Sequence, residues 1–170
     1  MHKLQVPGRL QNMKVNPVGK RLSEVERAYI AGFLDADGAI MATIERHKEK
    51  KFGFRIRVVL KATQANPKIL WWLQSKCHCG LVRKNRTTYD WLVRNQTEIK
   101  EILFILQPYF RIKNQQTTKA LHLLSSVIHS PKELMTAARL ADALARLNVR
   151  SKNRRINYAT MIQDKRSRND

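Results

Sequence analysis

The chain has 170 residues and a mass of 19.8 kDa, a length that suits one domain. Its 33 Lys+Arg against 13 Asp+Glu give a net charge of +20 and a pI of 10.6, while 43% hydrophobic residues supply material for a real core, which excludes wholesale disorder. No apolar run is long enough for a membrane span and the N-terminal stretch has no signal-peptide pattern, so the sequence predicts a soluble, intracellular protein with no membrane partner. Two cysteines, Cys77 and Cys79, are too few and too close for a disulfide framework and point to a reducing compartment. A basic excess of this size calls for a polyanion, and nucleic acid fits better than lipid because no basic amphipathic lipid-binding helix stands out.

Half of the net charge lies in the two ends, read as a basic N-terminal arm (1–22) and a basic C-terminal tail (150–170) flanking one compact domain, 23–149. The domain opens at Ser23, whose Ser-x-x-Glu pattern with Glu26 is a capping box, and the apolar run Ala28–Leu34 continues a helix that ends within Asp35–Gly38. From Ala39 the period changes to two. Ile40, Ala42 and Ile44 share one side of a strand and Met41, Thr43 and Glu45 the other. After a polar stretch, Phe54, Ile56, Val58, Leu60 and Ala62 alternate with Arg55, Arg57, Val59 and Lys61, which predicts a second strand paired with the first.

Asn66-Pro67 opens a short helix to about Lys76, with the Trp71-Trp72 pair read as core. Leu81–Asn85 and Tyr89–Arg94 form a second hairpin with Val82, Trp91 and Val93 inward and Arg83, Asn85, Asp90 and Arg94 outward. Helices follow at about 97–106, 115–129 and 132–147. Two antiparallel hairpins with helices on one face make an α+β layer architecture. The open face would carry Arg55, Arg57, Lys61, Arg83, Asn85 and Arg94 in rows, a surface able to lie in the DNA major groove.

The segment Ile30-Ala31-Gly32-Phe33-Leu34-Asp35-Ala36-Asp37-Gly38 carries the chemistry. Ala28, Ala31, Gly32 and Asp35 fall on one helical face, and small residues there let a second helix approach closely. Asp35 and Asp37 sit where the helix dipole disfavours negative charge, so something cationic should compensate, and a divalent metal with oxygen ligands is the natural candidate. Cys77-His78-Cys79 is too tightly spaced for a zinc site, and no Walker loop or dinucleotide fingerprint occurs.

The nonapeptide resembles the signature of the LAGLIDADG homing endonucleases, through Ala31, Gly32, Asp35, Ala36, Asp37 and Gly38 with apolar residues at 30, 33 and 34. The resemblance extends to the order of elements, which matches the family's αββαββα core with a four-stranded antiparallel sheet as DNA-binding face. It implies a metal-dependent, site-specific DNA endonuclease using Mg²⁺, with Mn²⁺ able to substitute and Ca²⁺ supporting binding without cleavage. By the same resemblance Asp37 is the metal-binding carboxylate, with the Ala36 carbonyl as a second oxygen. Gln64 organises water near the scissile phosphate, Lys68 is a nearby basic position, Lys113 stabilises developing negative charge, and Asp35 supports the helix interface. A single motif implies a homodimer joined through Ala28, Ala31, Gly32 and Asp35 and a nearly palindromic double-stranded target. At 3.4 Å per base pair, a sheet face following the groove for about 30 Å reads about 9 base pairs per half-site. Intron encoding and short 3′ overhangs are further family traits.

Two other readings use the same scaffold: a maturase-like protein that binds intron RNA to assist splicing, and a catalytically silent DNA-binding regulator. A basic ribosome-associated protein is a third, but it would have no reason for two acids on a small-residue helix.

Overall fold

A computed structural model describes residues 18–148 and 157–166. Helix α1 (Glu24–Asp37) begins as expected: the Ser23 hydroxyl accepts from the Glu26 amide at 3.2 Å and the Glu26 carboxylate from the Ser23 amide at 2.9 Å. Glu26 also meets the Lys76 ammonium at 2.6 Å, which ties α1 to α2 (Lys68–Cys77) and holds the Glu26 carboxyl below its ordinary range.

Between these helices, β1 (Gly38–Arg46) and β2 (Phe54–Gln64) pair antiparallel, with Ile44 opposite Ile56 and Glu45 opposite Arg55. A second hairpin joins β3 (Leu81–Asn85) to β4 (Thr88–Val93), and its turn places Arg86 at φ 54°. The sheet order is β1-β2-β4-β3, so the second strand of each hairpin lies at its centre. The period-two pattern decides which face is which: Ile40, Ala42, Ile44, Val58, Leu60, Ala62, Trp91 and Val93 are buried on the inner face. Trp91 satisfies its buried indole N–H by donating to the Cys79 carbonyl at 3.0 Å.

The inner face is covered by α3 (Gln96–Leu106), α4 (Asn114–Ser125) and α5 (Pro131–Asn148), with a 3-10 turn, Gln107–Tyr109, between the first two. Asn95 caps α3 by accepting from the Thr97 and Glu98 amides. The helix expected to run to 129 stops at Ser125. Ser126 turns extended and its hydroxyl donates to the His122 carbonyl, while Ser130 and Glu133 form a capping box that starts α5.

Three expectations are corrected by packing. Trp71 is 54% exposed rather than core, and only Trp72 packs, edge-on to Tyr29 with ring centroids 5.4 Å apart. The end of the N-terminal arm belongs to the fold, because Val18 and Leu22 are buried; residues 1–17 lie outside the described residues. The stretch read as a C-terminal tail contains α6 (Tyr158–Arg166), held on α5 by buried Asp142, whose carboxylate accepts from the Tyr158 and Ala159 amides at 3.0 Å each. Tyr158 and Ile162, one turn apart, bury their side chains in the core. None of the helices among the described residues is long and apolar enough to cross a membrane.

Candidate active site and nucleic-acid interface

At the end of α1 the chain passes directly into β1, and Gly38 makes this possible. A Cβ there would stand 2.6 Å from the Leu34 carbonyl oxygen, so any larger residue would push the strand off the helix. The two acids of the motif then take opposite directions.

Asp35 turns inward and is 9% exposed. Its carboxylate accepts from the backbone amides of Arg111 at 2.7 Å, Ile112 at 3.2 Å and Lys113 at 2.8 Å, so it fixes the turn of backbone that leads into α4, a helix whose own N-cap side chain makes no capping bond. Lys113, itself buried, donates from Nζ to the Asp35 carbonyl. The negative end of α1 and the negative charge of Asp35 are thus met by the backbone amides leading into α4 and by an ammonium. Asp37 points outward, is exposed, and accepts from Gln64 Nε2 at 2.8 Å.

The fold therefore brings Asp37 and Gln64 into contact across α1 and the end of β2, with Ala36 exposed beside them and Lys113 bonded at the same helix end. Lys68 opens α2 four residues beyond Gln64; its amide is capped by the Asn66 side chain at 3.0 Å and its side chain is exposed, with nothing tying it to Asp37. Among the described residues no group of three or more His, Cys, Asp or Glu forms a closed metal cage. Cys77 and Cys79 are buried thiols, and the bond from Cys77 together with burial pushes the Cys79 thiol far up.

The expected interface on α1 is split by the structure. Ala28 and Gly32 are exposed, but Ala31 is fully buried and Asp35 is committed to α4, so these two face their own chain. The exposed stripe is instead Val25, Ala28, Tyr29, Gly32 and Ala36, with Trp71 and Ile112 also exposed as large apolar side chains. A Cβ on Gly32 meets nothing within 4 Å of its own chain. A mid-helix glycine costs about 1 kcal/mol relative to alanine, and among the described residues nothing packs close enough to require its smallness.

The outer sheet face carries the remaining candidates. Met41, Thr43 and Glu45 stand on β1, Arg55, Arg57 and Lys61 on β2, Arg83 and Asn85 on β3, and Arg94 just past β4. Asp90 shares this face but is completely buried by its neighbours. Thr63, beside it on β2, was not among the expected residues; its place in register opposite Asp90 is the signal that identifies it.

With this geometry in hand, the sequence from residue 30 to 125 matches the family model described as LAGLIDADG endonuclease. The chain belongs to the LAGLIDADG endonuclease family. Among its relatives, the DNA endonuclease I-CvuI of Chlorella vulgaris is 33% identical over 129 residues, covering 73% of this chain and 80% of the relative. The DNA endonuclease I-CreI of Chlamydomonas reinhardtii is 28% identical over 126 residues, covering 71% and 77%. The crystal structure of I-CvuI in complex with the I-CreI target in the presence of Mg, with the DNA not cleaved, superposes with a TM-score of 0.73 at 31% identity, over 83% of this chain and 94% of that one. The LAGLIDADG fold, four antiparallel strands under helices, is therefore shared along with the motif.

Proposed function

We propose that this chain is a site-specific homing endonuclease that makes metal-dependent double-strand breaks in a long, nearly palindromic DNA target. The observation that carries the reading is the Asp37–Gln64 contact at the tip of the motif helix, in a family whose relatives at 33% and 28% identity are named DNA endonucleases. I-CvuI structures in the presence of Mg, and of Ca with its own target, support divalent-metal use.

The donor set fits a hard cation. Asp37 and the Ala36 carbonyl offer oxygens only, at an exposed helix end and without a closed cage, which suits Mg²⁺, an ion that keeps waters and phosphate oxygens among its ligands. Bound there, a divalent cation would supply a nucleophilic water and neutralise charge on the phosphoryl oxygens; Mn²⁺ would substitute, and Ca²⁺ would support binding without cleavage. The chain's own residues prepare that chemistry. Gln64 donates to Asp37, which fixes the carboxylate and leaves the amide oxygen to accept from a water. Lys113 brings its ammonium charge to the negative end of α1, where it stabilises negative charge developing on the phosphate. Lys68 contributes a phosphate contact.

A second copy of the chain covers the exposed stripe Val25, Ala28, Tyr29, Gly32 and Ala36, joined by Trp71 and Ile112. Helix–helix contact across Gly32 brings the two Asp37 residues together, and twofold symmetry matches a palindromic site. The rows Arg55, Arg57, Lys61, Arg83 and Arg94 follow the major groove on each half-site.

The test is incubation of the protein with a randomised double-stranded DNA library in Mg²⁺ and in Ca²⁺, followed by sequencing of cleaved ends. Recurrent double-strand breaks at one long, nearly symmetric site in Mg²⁺ alone support the reading. Failure to cut DNA that is demonstrably bound overturns it, and structured intron RNA becomes the next substrate.

A further inference from the structure

Asp90 is a fully buried carboxylate at the centre of a face otherwise dominated by cations. It lies on β4, in register with Thr63 of β2 on one side and Arg83 of β3 on the other. Oδ1 accepts from the Thr63 hydroxyl at 2.7 Å and meets Lys61 Nζ at 3.1 Å; Oδ2 accepts from Asn85 Nδ2 at 2.9 Å and lies 3.9 Å from Arg83 Nη2. With no exposed surface and all its neighbours donating to it, Asp90 cannot itself accept from a base. Burial pushes its carboxyl up, but the bonds from Thr63, Lys61 and Asn85 outweigh that and hold it below the ordinary range, so it is a constant acceptor at neutral pH.

We infer that Asp90 is a positioning residue that sets the hydrogen-bond polarity of the DNA-facing sheet, and through it a base preference at the point where Asn85 meets the groove. The inference rests on the DNA-binding reading and deepens it. A carboxylate can only accept, so Thr63 must spend its O–H on Asp90 and turn its lone pairs outward. Asn85 must likewise point its amide nitrogen at Asp90, which leaves its carbonyl oxygen and its second N–H for the groove. That pair, one acceptor beside one donor, is the pattern that reads N6 and N7 of adenine. Without Asp90 the amide is free to rotate and present either edge. Arg83, half-exposed and only loosely held at 3.9 Å, keeps its guanidinium for guanine or phosphate.

The experiment selects bound sequences from a randomised double-stranded DNA library in Ca²⁺ with wild-type chain, Asp90→Asn and Asn85→Ala. Wild type is expected to enrich a symmetric site in which one position per half-site prefers adenine. Asn85→Ala identifies that position by losing the preference about ten- to a hundredfold. Asp90→Asn is expected to lose it at the same position while retaining preferences elsewhere, and to bind unrelated duplex more tightly with a steeper salt dependence, since the face gains one net positive charge per chain. If Asp90→Asn reproduces the wild-type preferences at every position, or changes only affinity, the inference is overturned. If wild type enriches no site, the DNA-binding reading fails, and the inference with it. A second measurement needs no variant: in wild-type chain, one Asn85 side-chain amide proton should shift in NMR spectra as Asp90 is protonated in acid. An Asn85 amide indifferent to that titration overturns the inference.

Discussion

Two carboxylates of one motif, separated by a single residue, occupy opposite regimes. Asp35 is buried with three backbone amides on its oxygens, and Asp37 is exposed with one side-chain donor. Both end a helix whose dipole disfavours them, yet the compensation differs: for Asp35 the backbone leading into α4 and the Lys113 ammonium supply it internally, whereas Asp37 meets, among the described residues, the neutral amide of Gln64. Two residues apart on one helix, the acids point about 200° apart, so Asp35 faces its own chain and Asp37 faces outward.

The largest expected effect separates the two at once. Asp37→Asn should cut the cleavage rate by at least about a hundredfold with the unfolding midpoint unchanged, since the residue is exposed and, among the described residues, bonds the Gln64 side chain alone. Asp35→Ala should do the reverse. It leaves three amides of the turn leading into α4 without an acceptor, each worth about 1–3 kcal/mol when buried, and denaturant titration should register a loss of about 3–5 kcal/mol. A drop in activity without that loss of stability would break the comparison.

Gly32→Ala sharpens the comparison on the same helix. Open space around its Cβ means that the chain itself gains about 1 kcal/mol in helix propensity. A second copy packed there must move away, so sedimentation should show weaker self-association despite the more stable protomer. Equal gains in both would show that nothing packs on Gly32.

The smallest effect concerns acid stability. The Asp90 carboxyl is held below its ordinary value of 3.8, so its contribution to stability is present above that value and is lost as pH falls through the lower folded value. Asp90→Asn should remove this part of the acid dependence, leaving a flatter stability curve below pH 4 than wild type shows.

Much of the fold is legible in the sequence where the physics is local. The Ser23 capping box, the two period-two strands and the inward Trp91 all emerge from spacing alone. Most of what differs depends on contacts distant in the chain, and one difference on a local bond. Ala31 and Gly32 are equally small, and only packing against α3 and the 3-10 turn decides that Ala31 faces inward while Gly32 stays open. Asp35 lies 76 residues from the first amide it holds, so no window of sequence contains its role. Apolar Val127 and Ile128 prolong the helical pattern past the true end of α4, which a single serine fixes by bonding back to His122. Asp90 reads as one more outward polar residue until the register places four donors around it. Helix α6 hides in a basic stretch because, among its described side chains, Tyr158 and Ile162 are the buried ones, with Ala159 and Met161 packed beside them.

The most direct measurement of the central division is cleavage by Asp37→Asn on DNA already bound. The wild-type and variant chains are loaded to equal occupancy on the selected site in Ca²⁺, Mg²⁺ is added, and the broken strands are followed over a single turnover. Rapid cutting by wild type with none by the variant, at equal occupancy and equal unfolding midpoints, is the expected result. Cutting by the variant at the wild-type rate would contradict it and move the chemistry away from Asp37.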